Sequence, residues 1–225
     1  MLERWQKELR ESISSLDDPE LEGYAFLRGR SRAAAERFRQ LVPKPYFRFI
    51  DKNDPDDPIA RMAFAASEEL VSSGAGMRDP IGDLDRKAAP RLTHRYPDRA
   101  LLHVTNLCPM YCRFCFRKNL MNEQDEDLYS GGFSDAFAYL RAHTEIEELI
   151  LTGGDPWMLS DEKLGRLVDE IALAAPQLRR LRFHTRMPVT LPSRVTEGLL
   201  RAIHRPYRFR TFVVTHFNHP RELGE

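Results

Sequence analysis

Every cysteine of the chain lies in one short stretch, CPMYCRFCFRK, residues 108–118. Cys108, Cys112 and Cys115 follow a Cys-x3-Cys-x2-Cys spacing. Soft thiolates this close together select zinc, copper(I) or an iron–sulfur cluster. Three is an odd count for disulfides and one ligand short of a closed structural zinc site. A cubane suits three thiolates, because three irons are held and the fourth stays open to a ligand. Zinc is the rival, with the HxxH pair His216 and His219 as nitrogen donors. A closed zinc site there would block the loops around it.

The elements that must position these residues alternate after Ala100. ALLHVTN (100–106), EELILTGGD (147–155), RRLRFHT (179–185) and RTFVVTHF (210–217) read as strands. FSDAFAYLRAH (133–143), SDEKLGRLVDEIALAA (160–175) and SRVTEGLLRAI (193–203) read as helices, with Ser160 and Asp161 suited to an N-terminus. Such alternation implies βα units and a parallel sheet, whose chemistry sits at the carboxyl ends of the strands. The cysteines, the Gly153-Gly154-Asp155 turn, His184-Thr185-Arg186 and His216 to His219 all fall at those ends. Four loops converging on one rim point to one site.

Residues 1–90 read as a helical region and linker, and 91–225 as the core. Helices are expected over PELEGYAFLRGRSRAAAERFRQLV (19–42) and over DDPIARMAFAASEELVSS (56–73) with a Gly-Ala-Gly end. VPKPYFRFIDKNDPDDP (42–58), with four prolines, reads as a loop, and MRDPIGDLDRKAAPRLTHRYPD (77–98) as an irregular linker. NDPDDP (53–58) lacks the spacing and glycine of a calcium loop and reads as a solvated turn. HPRELGE (219–225) reads as the opening of another helix.

Composition narrows the classes. A 42% hydrophobic and 30% charged chain of 225 residues can bury a core. Lysine plus arginine equals aspartate plus glutamate at 34 each, so bulk attraction to nucleic acid or an anionic membrane is not expected. No apolar run approaches the ~20 residues of a transmembrane helix. The charged start, MLERWQKELRESISS, lacks the apolar core of a signal peptide. A cytoplasmic protein with reduced thiols is the expectation.

CxxxCxxC with Phe114 before the last cysteine resembles the radical S-adenosylmethionine (SAM) superfamily. PYFRFIDKNDPDDPIARMA, LTHRYPDRALLHVTNLCPMYCRFCFRK, LTGGDPWMLSDEKL, TRMPVTLPSRVT and THFNHPREL together resemble the lysine 2,3-aminomutase family. The resemblance implies an α/β fold: a partial radical SAM (β/α) barrel with four parallel strands, preceded by an N-terminal helical region. It implies a [4Fe–4S] cluster on Cys108, Cys112 and Cys115, with Phe114, Gly153, Gly154, Asp155, His184 and Arg186 around SAM. Arg117 matches the arginine that grips the substrate carboxylate, the alternative being a solvated arginine among Arg113 and Lys118. Arg95, Arg99, His216, Asn218 and His219 match the pyridoxal phosphate (PLP) and substrate pocket.

The implied reaction moves an amino group from the 2 to the 3 position of an amino acid, L-lysine first. An unactivated C–H bond offers no polar route, which is why radical and PLP chemistry are combined. Glutamate 2,3-aminomutase and an aminomutase acting for a translation-factor lysine are alternatives within the class. Outside it stand a PLP-independent radical SAM enzyme and a non-catalytic metal-binding protein. The resemblance also implies a flavodoxin or ferredoxin as electron donor and a homo-oligomer. Family members continue past HFNHP to a glycine-rich segment bearing the PLP lysine. The chain is therefore expected to be a fragment, holding its cluster weakly and inactive as an aminomutase by itself.

Overall fold

A computed structural model of the protein describes residues 2–71, 77–122 and 126–224. Its centre is one six-stranded sheet in the order β1 to β6. The strands are β1 Lys87–Ala89, β2 Leu92–Tyr96, β3 Arg99–Thr105, β4 Glu148–Gly153, β5 Arg180–His184 and β6 Arg210–Val214. β3 to β6 run parallel, each paired with the next. The four predicted parallel strands are these, and the mixed α/β architecture fits a partial radical SAM barrel.

The linker reading of 77–98 is corrected: β1 and β2 form an antiparallel ribbon on the β3 edge. The sheet thus begins at Lys87, inside the segment assigned to the N-terminal region. Strands of three and five residues are too short for a periodic signal, and their prolines are turn residues. Pro90 and Arg91 join β1 to β2, with Arg91 at φ 61°. That left-handed backbone is held by the Arg91 side chain, which donates to the carbonyls of Gly131, His103 and Val104 at 2.9, 3.1 and 3.1 Å.

Strand alternation sorts the side chains. Ala100, Leu102 and Val104 of β3, Leu149 and Leu151 of β4, and Leu181 and Phe183 of β5 join the main core with the crossover helices. Helix Asp161–Ala174 contributes Leu164, Leu167, Val168 and Ile171 at helical spacing, and Ser160 Oγ caps it by accepting from the Lys163 N–H. Helices Ser134–Ala142 and Glu197–Ile203 complete the predicted set, the latter starting at Thr196 rather than near Ser193. The opposite sheet face carries His103, Glu148, Thr152, Arg182 and His184.

The N-terminal region is helical only in pieces, among them Arg4–Arg10, Ala25–Arg28, Arg32–Arg37, Lys44–Phe47 and Pro58–Ala63. Gly23 at φ 89° and the new cap at Ser31 interrupt the long helix expected over 19–42. Within the expected loop 42–58, prolines open the turn Lys44–Phe47 instead of preventing it. The second long helix stops at Ala63, where Phe64 is extended, and its expected end at 74–76 lies outside the described residues. The HPRELGE segment forms a short 3-10 turn, Pro220–Leu223. These pieces bury Ile13, Leu21, Leu27, Val42, Tyr46, Phe47 and Phe64 in a second cluster that includes Met110 and packs on Cys112. Among the described residues no helix is long and apolar enough to cross a membrane.

Candidate functional site

β3 ends at Thr105 and the chain enters the cysteine loop. The N-terminal region holds that loop from behind: Arg113 N–H donates to the Met62 carbonyl at 2.9 Å and Tyr111 N–H to Leu41 at 3.3 Å. Arg113 is not a solvated neighbour. Its Nε and Nη2 pair with both oxygens of Glu69 at 3.0 and 2.7 Å, and Nη1 donates to the Phe38 and Arg39 carbonyls. Burial pushes the Glu69 carboxyl up, but its bonds to Arg113, Ala66 and Lys118 hold it below the usual range. Lys118 reaches the same carboxylate at 3.1 Å.

The loop faces a cavity of about 430 Å3 at the carboxyl ends of β3 to β6. All three cysteines line it, together with Phe114, Arg117, Gly153, Gly154, Asp155, His184, Arg186 and His216. Those predicted residues are therefore brought to one place from four loops. Arg95, Arg99, Asn218 and His219 do not line it. Arg99 turns to its neighbour Asp98, at 3.0 Å, and over the Tyr96 ring, while Arg95 is exposed near Gly82. Asn218 and His219 serve the terminal turn: both backbone N–H groups donate to Glu222, and His219 Nδ1 accepts from Arg221 N–H.

The two glycines have a structural task first. Gly153 sits at φ 109°, and a Cβ there would lie 2.6 Å from the Thr105 carbonyl oxygen. A Cβ on Gly154 would lie inside the Leu107 carbonyl group. The turn closely approaches the base of the cysteine loop, with Gly154 and Asp155 N–H donating to the Thr105 and Leu107 carbonyls at 2.5 and 2.8 Å. Asp155 is buried and accepts from Thr185 Oγ1 and the Trp157 and Arg186 N–H groups, so it ties the β4 loop to the β5 loop. Burial pushes its carboxyl up despite those bonds.

Arg117 is buried on the cavity wall. Nε donates to Asp83 Oδ2 at 2.6 Å and Nη1 to Thr152 Oγ1 at 3.3 Å, with the Phe116 ring beneath it. Asp83 is fully buried and comes from the segment read as a linker. Beside this pair lie His103, bonded to Thr93 Oγ1 at 2.8 Å, and the Tyr129 ring, whose hydroxyl has no partner among the described residues. His184 Nε2 is likewise buried without a partner, and burial lowers its basicity.

Burial pushes all three thiols up, Cys108 well up with Asp155 adding to it, while Arg186 moderates Cys112. Such thiols give up their protons when a cation binds them. Among the described residues no three His, Cys, Asp or Glu stand around one point as single-ion ligands. Thiolates shared among separate irons need not converge on one point. The donor set and the cavity beside it therefore fit a three-thiolate cluster with a ligand at its open iron. Arg95 and Arg99, expected at the PLP end of the pocket, stand outside this cavity.

Sequence reasoning missed Asp83, Glu69, Tyr46 and Glu222. Each lies more than 30 positions from the site residue it holds, so no local spacing could point to it.

The family described as a 4Fe-4S single cluster domain matches residues 98–204. The chain is 32% identical to the L-lysine 2,3-aminomutase of Clostridium subterminale, the match covering 98% of this chain and 53% of that protein. It is 34% identical to the L-lysine 2,3-aminomutase of Haemophilus influenzae, over 87% of this chain and 57% of that protein. The Escherichia coli L-lysine 2,3-aminomutase is also 34% identical, with 86% and 56% covered. The chain thus spans about half the length of the curated relatives it matches.

Proposed function

Because the chain belongs to the L-lysine 2,3-aminomutase family, we propose that it binds a [4Fe–4S] cluster and SAM for a radical amino shift on an amino acid, L-lysine first. The observation that carries this is the convergence of three free thiols, the Gly153-Gly154 turn and Arg117 on one ligand-sized cavity. When bound, the cluster and SAM supply a carbon radical able to take hydrogen from an unactivated C–H bond.

The chain's own residues define what happens around that chemistry. Cys108, Cys112 and Cys115 hold the cluster. Phe114, Gly153, Gly154, Asp155, His184, Arg186 and His216 line the cavity and would face SAM there. Arg117 presents the guanidinium edge left over from Asp83 and Thr152 to the substrate carboxylate, a charge-assisted contact that orients the substrate. PLP would carry the amino group, its Schiff-base lysine not being among these wall residues. A one-electron donor of the flavodoxin or ferredoxin class serves as the partner.

Anaerobic reconstitution with iron and sulfide tests the reading. A brown protein with about four irons that cleaves SAM under dithionite is expected, and alanine at any one cysteine should abolish both. A colourless protein carrying one zinc would overturn it.

A further inference from the structure

The guanidinium of Arg186 is pinned on three sides. Nε donates to the His216 carbonyl at 2.9 Å, Nη2 to Glu222 Oε1 at 2.5 Å, and Nη1 to the Cys112 sulfur at 2.8 Å. Glu222 is itself immobilised. Its side chain has no exposed surface, and it accepts from the Tyr46 hydroxyl at 2.6 Å and from the Asn218 and His219 N–H groups at 2.5 and 3.1 Å. Tyr46 is fully buried in the N-terminal cluster. A chain of contacts therefore runs from the N-terminal region through Glu222 and Arg186 to one sulfur. Among the described residues, neither Cys108 nor Cys115 receives a side-chain N–H of this kind.

We propose that Arg186 tunes the cluster, raising its reduction potential by donating Nη1–H to the Cys112 sulfur. The inference rests on the cluster assignment above. The step concerned is the uptake of one electron from an external one-electron reductant, with no bond made or broken and no proton transferred. The added negative charge spreads over iron and sulfur. A charged donor fixed at a ligand sulfur stabilises the reduced form more than the oxidised form. Fixation matters, because a donor free to turn to water would give up much of that difference. The other two guanidinium contacts deny Arg186 that freedom.

The test is an anaerobic redox titration of the reconstituted full chain, with the reduced cluster followed by electron paramagnetic resonance. Arg186→Gln removes charge and donor and should shift the midpoint to a more negative potential. Arg186→Lys keeps the charge without the three-way fixation, should shift it less in the same direction, and covers the case in which the glutamine variant does not fold. A purely structural role would lower iron content yet leave the potential of the remaining clusters unmoved. A wild-type chain that takes up no cluster sinks both readings. A wild-type cluster whose potential neither variant changes sinks this one alone.

Discussion

Arg117 Nε donates to Asp83 Oδ2 at 2.6 Å, and both side chains are almost wholly out of water. The arginine proposed to meet a substrate is thus neutralised on one edge by a carboxylate from the strand-edge segment. Asp83→Asn should destabilise the cluster-free chain by about 3 kcal/mol, since it leaves a buried guanidinium without its counter-charge. Urea unfolding measures this. An unchanged midpoint would mean that the cavity itself compensates Arg117.

Gly154→Ala places a methyl against the Leu107 backbone, which cannot turn aside as a side chain would. The base of the cysteine loop must move, at a cost of about 1–3 kcal/mol. Iron content after reconstitution should fall with stability. Gly132→Ala, with open space around it and no positive φ, is the control and should bind iron normally.

His103 is fully buried, and its basicity falls from 6.5 to about 3, through burial first and then the charges of Arg117 and Arg91. The folded state keeps the ring neutral, while the unfolded chain takes up a proton below pH 6.5. Its contribution is complete above that pH and is lost as pH falls towards 3. The slope there reaches at most about 1.4 kcal/mol per pH unit. Denaturant midpoints at pH 7.5 and about 5 should differ in the wild type, and His103→Gln should flatten the difference.

Arg194 has no exposed surface and spends its donors on Asp161 at 2.6 Å and on the Trp157 and Leu159 carbonyls at 2.9 and 3.0 Å. The Trp5 ring lies 4.7 Å from its Cζ, which docks the first helix on the β4 and β5 loops. Arg194→Met strands Asp161 and two carbonyls, for about 3 kcal/mol. For a chain of this size that is a melting temperature lower by roughly 6–12 °C. A change under 2 °C would show that this junction does not hold the helix.

Much of the fold was legible because its signals are local. β3 to β6 announce themselves by apolar runs ending in loop residues, and helix Asp161–Ala174 by spacing and a Ser160 cap. β1 and β2 were not legible, because strands so short take their identity from the neighbour they pair with. The N-terminal helices read too long for a related reason. Helical spacing persists across Gly23 and Ser31, and only the packing of Leu21, Leu27 and Tyr46 shows where the chain turns.

The sequence by itself determined the donor chemistry and where it must sit. Thiolate softness, the spacing of Cys108, Cys112 and Cys115, and the strand-helix order are properties of neighbouring residues. The tertiary structure alone decided what each arginine does. Arg113 meets Glu69 across 44 positions, Arg117 meets Asp83 across 34, and Arg186 meets Glu222 across 36. A guanidinium is fixed by whichever acceptor is desolvated beside it, and that choice is made by packing between distant segments.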